Sequence, residues 1–318
     1  MKKELYLILL GVALIATITS CSSNDHGVDK GIEIPGITIT DDIDCCSAEE
    51  ALQVYNFLQT VKIVPELSIS VDGQYNVFAY TPTGGIHVGY NDIYFVATKK
   101  TSGNYIKKFD ITGITPLMLM SQMNMKHSTP VSSTVESFND NYLAVKHGWL
   151  SLVMATSEKG SWSLSYDADI LGKHGKLDEA TVDVNALPSG QVWLKSFKVS
   201  DKTYYISLVN PADLQTGKNE LHTYVSVKSQ TATVPYTLAS EQFIVEIDPR
   251  MPDMGNHTSP DNTSLTLQDD GSYKGIINLT MTGLWRIHLT VRDLQGNVVA
   301  GGDDLKDGFS SLYFDVTI

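Results

Sequence analysis

DGSYKGIINLTMTGLWRIHLTV, residues 270–291, decides how this chain folds. It opens on the turn pair Asp270-Gly271. It then runs through Tyr, Ile, Leu, Thr and Val residues interleaved with polar ones, the period-two texture of half-buried strands. The same texture extends from Val61 to the C-terminus, and turn signals recur roughly every eight to twelve residues. Asp72-Gly73, Gly84-Gly85, Asp140-Asn141 and Gln295-Gly296-Asn297 are examples. Short strands at that spacing predict a β-sandwich. One helix is expected. Ser47-Ala48-Glu49-Glu50 is a capping box, and behind it Ala51, Val54, Tyr55 and Leu58 fall on one helical face, which predicts a helix over residues 48–60. No long amphipathic segment is available to cover a parallel sheet. The expected class is therefore all-β with one short N-terminal helix.

Working outward, the features of residues 270–291 have earlier counterparts in the same order. Gly89-Tyr90-Asn91-Asp92 parallels Gly217-Lys218-Asn219-Glu220. His127-Ser128-Thr129-Pro130 parallels His257-Thr258-Ser259-Pro260. The Asp140-Asn141-Tyr142 turn parallels Asp270-Gly271-Ser272-Tyr273. Met154 followed by Gly160-Ser161-Trp162 parallels Met281 followed by Gly283-Leu284-Trp285. Matches in register predict two tandem sandwich domains, over residues 64–170 and 188–318. They follow a signal peptide at 1–21 and a leader with the short helix at 22–63. The polar, glycine-containing stretch 172–176 is expected to be an exposed join.

The 318 residues are ordinary in composition, but the acidic excess gives a net charge of −13. A nucleic-acid partner is excluded by that balance, because phosphate binding needs a basic surface. Lys2 and Lys3 precede an apolar run, residues 5–18, that is short for a membrane span. The run ends in Ile18-Thr19-Ser20-Cys21, which resembles a bacterial lipoprotein signal with Cys21 as the lipidated residue. The expected partner is thus the membrane, through a lipid at Cys21. The expected location is the cell envelope, lipid-anchored at the outer membrane of a Gram-negative bacterium. Serine after Cys21, in place of the aspartate that favours inner-membrane retention, supports the outer membrane. Cys45 and Cys46 are then left as neighbours, where a vicinal disulfide, two free thiols or soft metal ligands are the open alternatives.

Apart from the initiator, the methionines gather in two groups. Met118, Met120, Met123, Met125 and Met154 belong to the first half, and Met251, Met254 and Met281 to the second. Each main run is followed by a histidine, His127 or His257. Residues two apart on a strand share a face, so Met118 pairs with Met120, and Met123 and Met125 with His127 if the strand continues through them. Neutral thioethers with one imidazole are a ligand set for Cu(I). Methionine is also a flexible filler of irregular cores, and under that reading each segment is a structural corner. Trp162 and Trp285 read as core. His147, His174 and His288 read as surface or internally satisfied residues. The acidic group Asp303, Asp304 and Asp307 reads as a solvated turn. No HExxH, GxSxG, EF-hand or phosphate-loop pattern is present, so an enzyme is not expected.

The second half resembles the YtkA-like domains, which are related to the FixH-like domains. The resemblance rests on DPRMPDMGNHTSP at 248–260 and on residues 270–291, with Met-Pro-x-Met-x-x-His before a hairpin and Met-x-Gly-x-Trp after it. The first half is a looser copy. It lacks the Met-Pro pair and has four residues inserted between Met154 and Trp162. The family implies an immunoglobulin-like form of the sandwich at the cell envelope, with copper handling as its context. The expected function is binding of a soft metal ion, Cu(I), for delivery or sequestration, with an envelope protein or copper acceptor as partner. The alternative is a non-catalytic structural or protein-interaction module.

Overall fold

The computed structural model describes residues 32–38, 48–122, 125–139, 144–229, 235–302 and 310–318. Helix α1 (Ala48–Leu58) is followed in the first half by β1 (Lys62–Ile63), β2 (Ile69–Val71), β3 (Tyr75–Thr81), β4 (Ile86–His87), β5 (Gly89–Lys99), β6 (Tyr105–Ile106), β7 (Phe109–Met120), β8 (Met125–His127), β9 (Glu136–Ser137), β10 (Lys146–Leu152), β11 (Gly160–Ile170), β12 (Lys173–Val182) and β13 (Val184–Asn185). The second half holds β14 (Leu194–Val199), β15 (Lys202–Leu208), β16 (Gly217–Lys228), β17 (Tyr236–Leu238), β18 (Ile244–Met251), β19 (His257–Thr258), β20 (Leu265–Leu267), β21 (Ser272–Leu279), β22 (Leu284–Arg292), β23 (Val298–Gly301) and β24 (Tyr313–Thr317). The all-β class is as the sequence predicts, and so is the single short α-helix among the described residues. The helix stops two residues early because the chain tightens into a turn, where both the backbone N–H and the hydroxyl of Thr60 bond to the Phe57 carbonyl.

Two sheets make up the body of the first half. One runs β1-β3-β5-β10-β9 with β2 and β6 attached, and the other runs β12-β11-β7-β8. Alternation decides what each strand buries. β11 turns Trp162, Leu164, Tyr166, Ala168 and Ile170 inward and leaves the intervening residues outward. They meet Val77, Ile93, Phe95 and Leu150 of the facing sheet. The Tyr166 ring lies edge-on to Phe95 at 5.1 Å, and its hydroxyl donates across the core to the Leu67 carbonyl at 2.6 Å. β5 reads as a continuous apolar run because both of its faces are covered. Ile93, Phe95 and Ala97 enter this core, while Tyr94 and Val96 pack outward with Ala51 and Val54 of α1.

In the second half a single sheet folds over on itself, in the order β14-β15-β16-β21-β20-β18-β22-β23, with β17, β19 and β24 at its margins. The short β20 is the seam, paired to β21 on one side and β18 on the other. Ile206, Leu221, Val245, Leu265, Ile277, Trp285, Leu289 and Phe314 fill the interior. A small device recurs in both halves. The Asn91 side chain accepts from the His87 N–H and donates to the carbonyls of His87 and Gly89, and Asn219 does the same with Gln215 and Gly217. The glycine beside each clamp has φ of 90° or 101°, a conformation that side chains rarely tolerate.

The join is not where composition places it. Residues 172–176 form the start of a hairpin, and β12 returns along β11 as part of the first half. Leu171 and Gly172 take positive φ at its tip, and His174 sits in β12 with its Nδ1 2.9 Å from Asp169. A glycine-lysine-histidine stretch serves a hairpin turn as well as a linker, and only pairing tells them apart. The passage between halves lies further on. β13 runs parallel to β4, and Val192 exchanges two backbone bonds with Asp315 of β24.

Candidate functional site

Each methionine-histidine segment is the end of a hairpin. In the first half β8 folds back on β7, setting His127 opposite Met118 and Met125 opposite Met120. Opposed residues on antiparallel strands lie on the same face with Cβ atoms roughly 4.5–5.5 Å apart, so all four side chains leave the hairpin on one side. In the second half β19 folds back on β18 and sets His257 opposite Met251. The turn between them is a 3-10 turn, Pro252–Met254, closed by Gly255 and Asn256 at positive φ. Pro252 starts that turn because its ring fixes φ and it has no N–H to offer a ladder.

The methionines then divide by depth. Met118 is 1% exposed and Met251 3% exposed, and the two occupy equivalent places. Met118 pairs with Trp162 across β7 and β11, and a Cβ at Gly160 would lie 2.5 Å from its terminal methyl. A Cβ at Gly283 would lie 3.0 Å from the Met251 methyl. Each sulfur side chain therefore fills a notch that a glycine leaves two residues before the buried tryptophan. Met120 and Met281 are half-buried against the two cores. Met125 at 48%, Met154 at 43% and Met254 at 54% stand in solvent. Met154 and Met281 are brought to their corners by backbone, since their carbonyls accept the indole N–H of Trp162 and Trp285 at 2.9 and 2.8 Å. Thr129 and Ser259, two residues after the histidines, each donate a hydroxyl hydrogen bond to the strand behind, to the carbonyls of Ser151 and Asn278. Met123, Cys21, Cys45 and Cys46, along with Asp303, Asp304 and Asp307, lie outside the described residues.

Among the described residues no three His, Cys, Asp or Glu side chains converge on one point. The donors at each corner are thioethers and one imidazole, which fit a soft cation and no hard one. The packing of Met118 and Met251 carries a direct test. Gly160→Ala is expected to cost roughly 1–3 kcal/mol by overpacking the Met118 notch, read as a lower urea midpoint at unchanged slope.

Sequence reasoning missed one polar centre. Asp92, buried in β5, accepts from the Tyr90 hydroxyl and from His147 Nε2 at 2.7 Å each, and from the Asn210 amide of the second half at 3.1 Å. Burial pushes the Asp92 carboxyl up, but the hydrogen bonds from His147 and Tyr90 outweigh it and hold the carboxyl below its ordinary value. Beside it the rings of Trp149 and Tyr224 stack at 4.8 Å with Tyr90 at 5.8 Å from both, and the Ser151 and Ser207 hydroxyls meet at 2.5 Å. The signal in sequence was an aspartate directly before the apolar run Ile93 to Ala97. His288 is satisfied internally, its Nδ1 accepting the Ser310 N–H at 2.9 Å, and burial pushes its pKa down.

No curated protein matches the chain. A family model described as YtkA-like matches residues 198–290, a span that opens in β14, contains the Met251–His257 turn and Trp285, and ends within β22. The second half of this chain thus carries a YtkA-like domain.

Proposed function

We propose that the chain is a lipid-anchored envelope protein that binds Cu(I) for delivery or sequestration at the methionine-histidine corners of its two halves. The observation that carries the reading is the register of β7 with β8, which puts Met120, Met125 and His127 on one face beside the buried Met118. Two sulfurs and an imidazole make a neutral three-ligand set of the kind Cu(I) prefers. In the second half Met254, His257 and Met281 are the corresponding donors, again two sulfurs and an imidazole. Met118 and Met251 serve mainly to hold the corners in place. The second reading, a structural or protein-interaction module without metal, is favoured by that same burial of Met118 and Met251, which packing alone accounts for.

Titration of the full chain with Cu(I) against a chromophoric chelator separates the two. The metal reading expects binding tighter than about micromolar, roughly −8 kcal/mol. Met120→Leu with Met125→Leu and His127→Gln should abolish binding at the first corner. Leucine is close to methionine in volume and should cost under ~1.5 kcal/mol per site, so affinity falls while the melting temperature barely moves. Unchanged affinity with a lowered melting temperature favours the interaction module. The anchor is tested apart from the metal. Cys21→Ser is expected to release the protein from membranes after a high-salt wash, and retention would exclude lipid anchoring at that cysteine.

A further inference from the structure

The outer face of a sandwich sheet usually turns polar residues to water, yet β3 sends Asn76, Phe78 and Tyr80 outward, each half-buried. Register extends the row. Asn76 lies opposite Thr98 of β5, and Thr98 lies opposite Tyr105 of β6, so polar and aromatic groups share one floor. Helix α1 forms a wall through Tyr55 and Leu58, continued by Gln59 directly after it, and residues 35–37 also line the site. Helix and leader pack tightly over Tyr94, Val96 and Val145 but leave the Asn76 end uncovered. An open cleft of about 450 Å³ remains there, within the size range of small-molecule sites.

Its lining narrows the chemistry of an occupant. Among the described residues no carboxylate, histidine or cysteine lines it, so those residues offer no metal ligand set. The site meets the C-terminal end of α1, at Tyr55, Leu58 and Gln59, and the partial negative charge of that helix end opposes a phosphate. A fatty chain needs an apolar sleeve, and here Asn76, Thr98 and Gln59 interrupt it. What the walls offer is ring faces beside amides and hydroxyls. A pyranose ring has the complementary form, with one C–H face that lies on an aromatic ring and a rim of hydroxyls that pair with amides. Burial pushes the Tyr80 and Tyr105 phenols up, so they stay protonated as hydrogen-bond donors. Lys100 is exposed at the mouth, where an ammonium favours a sugar carrying a carboxylate.

The geometry points to a saccharide site between α1 and the outer face of β3, β5 and β6, sized for one or two pyranose rings. It is separate from the methionine corners and does not depend on them. Saturation-transfer difference NMR on the full chain tests it, with maltose, N,N′-diacetylchitobiose and digalacturonate as probes. At least one probe is expected to show transfer, with the acidic disaccharide weakened about tenfold by Phe78→Ala. Thr98→Val and Gln59→Ala, which remove polar groups with little effect on packing, should weaken it about threefold each. The melting temperature of the two milder variants should be unchanged, so a loss of binding cannot come from unfolding. Transfer from none of the three probes, or transfer indifferent to Thr98→Val and Gln59→Ala, would overturn the site. Binding of an apolar dye in place of every sugar, with the same dependence on Phe78, would also overturn it.

Discussion

Asp92→Ala is expected to destabilise the protein by roughly 3–5 kcal/mol, the usual consequence of removing one partner from a buried charged network. The carboxylate receives three hydrogen bonds, from Tyr90, His147 and Asn210. Alanine would strand the Tyr90 hydroxyl, which is buried and cannot be resolvated without opening its surroundings, and would leave His147 and Asn210 to turn to water. At about 2–4 °C per kcal/mol for a unit of this size, a fall of about ten degrees in melting temperature should be measurable. Asp92→Asn keeps the shape and one acceptor oxygen and should lose less. The pH dependence has a definite sign. The carboxyl titrates below its ordinary value of 3.8 in the folded protein, so its stabilising contribution is present above the unfolded pKa and is lost as pH falls through the folded one. The stability difference between the parent and Asp92→Asn should therefore be constant near neutrality and shrink below about pH 4. A difference that grew on acidification would show that Asp92 is not held ionised.

Trp285→Ala is expected to cost the second half roughly 3–5 kcal/mol. The indole is fully buried among Ile287, Leu289, Phe314 and their neighbours, and its N–H closes on the Met281 carbonyl. Loss of the ring opens a cavity and leaves that carbonyl without its donor. Trp285→Phe restores most of the volume and isolates the hydrogen bond, for which about 1 kcal/mol is expected. Because Trp162 sits in a separate core with the same bond to Met154, Trp162→Ala should weaken the first half by a similar amount. Calorimetry would show which transition each variant moves. Equal effects of both substitutions on one shared transition would mean that the cores melt together.

Much of this was legible in the strand texture, and some of it could not have been. Alternation in residues 270–291 gives the faces of β21 and β22 correctly, and Trp162 and Trp285 are core as their setting predicts. Periodicity does not say how deep a face lies. Met118 and Met120 share a face, but only the pairing with β11 puts Met118 under Trp162, in the notch that Gly160 leaves. The strand does not carry Met125 into that depth, because β8 is a sheet margin with a single neighbour. The Asp92–His147 contact joins residues 55 apart in sequence and depends on the register of β5 against β10. Such a contact becomes visible only once two strands are aligned to within one residue, a shift of which would reverse every face.

The passage from β13 to β14 has a hydrodynamic consequence. Val184 and Asn185 are bonded into the first half and Gln191, Val192 and Trp193 into the second, so only residues 186–190 are left to act as a swivel. Ring stacking and the hydroxyl pair between the halves oppose even that. Two lobes on a free tether would tumble at separate rates, each fast for its own mass. Here the amides of both halves should relax with one slow rotational correlation time, that of the whole particle.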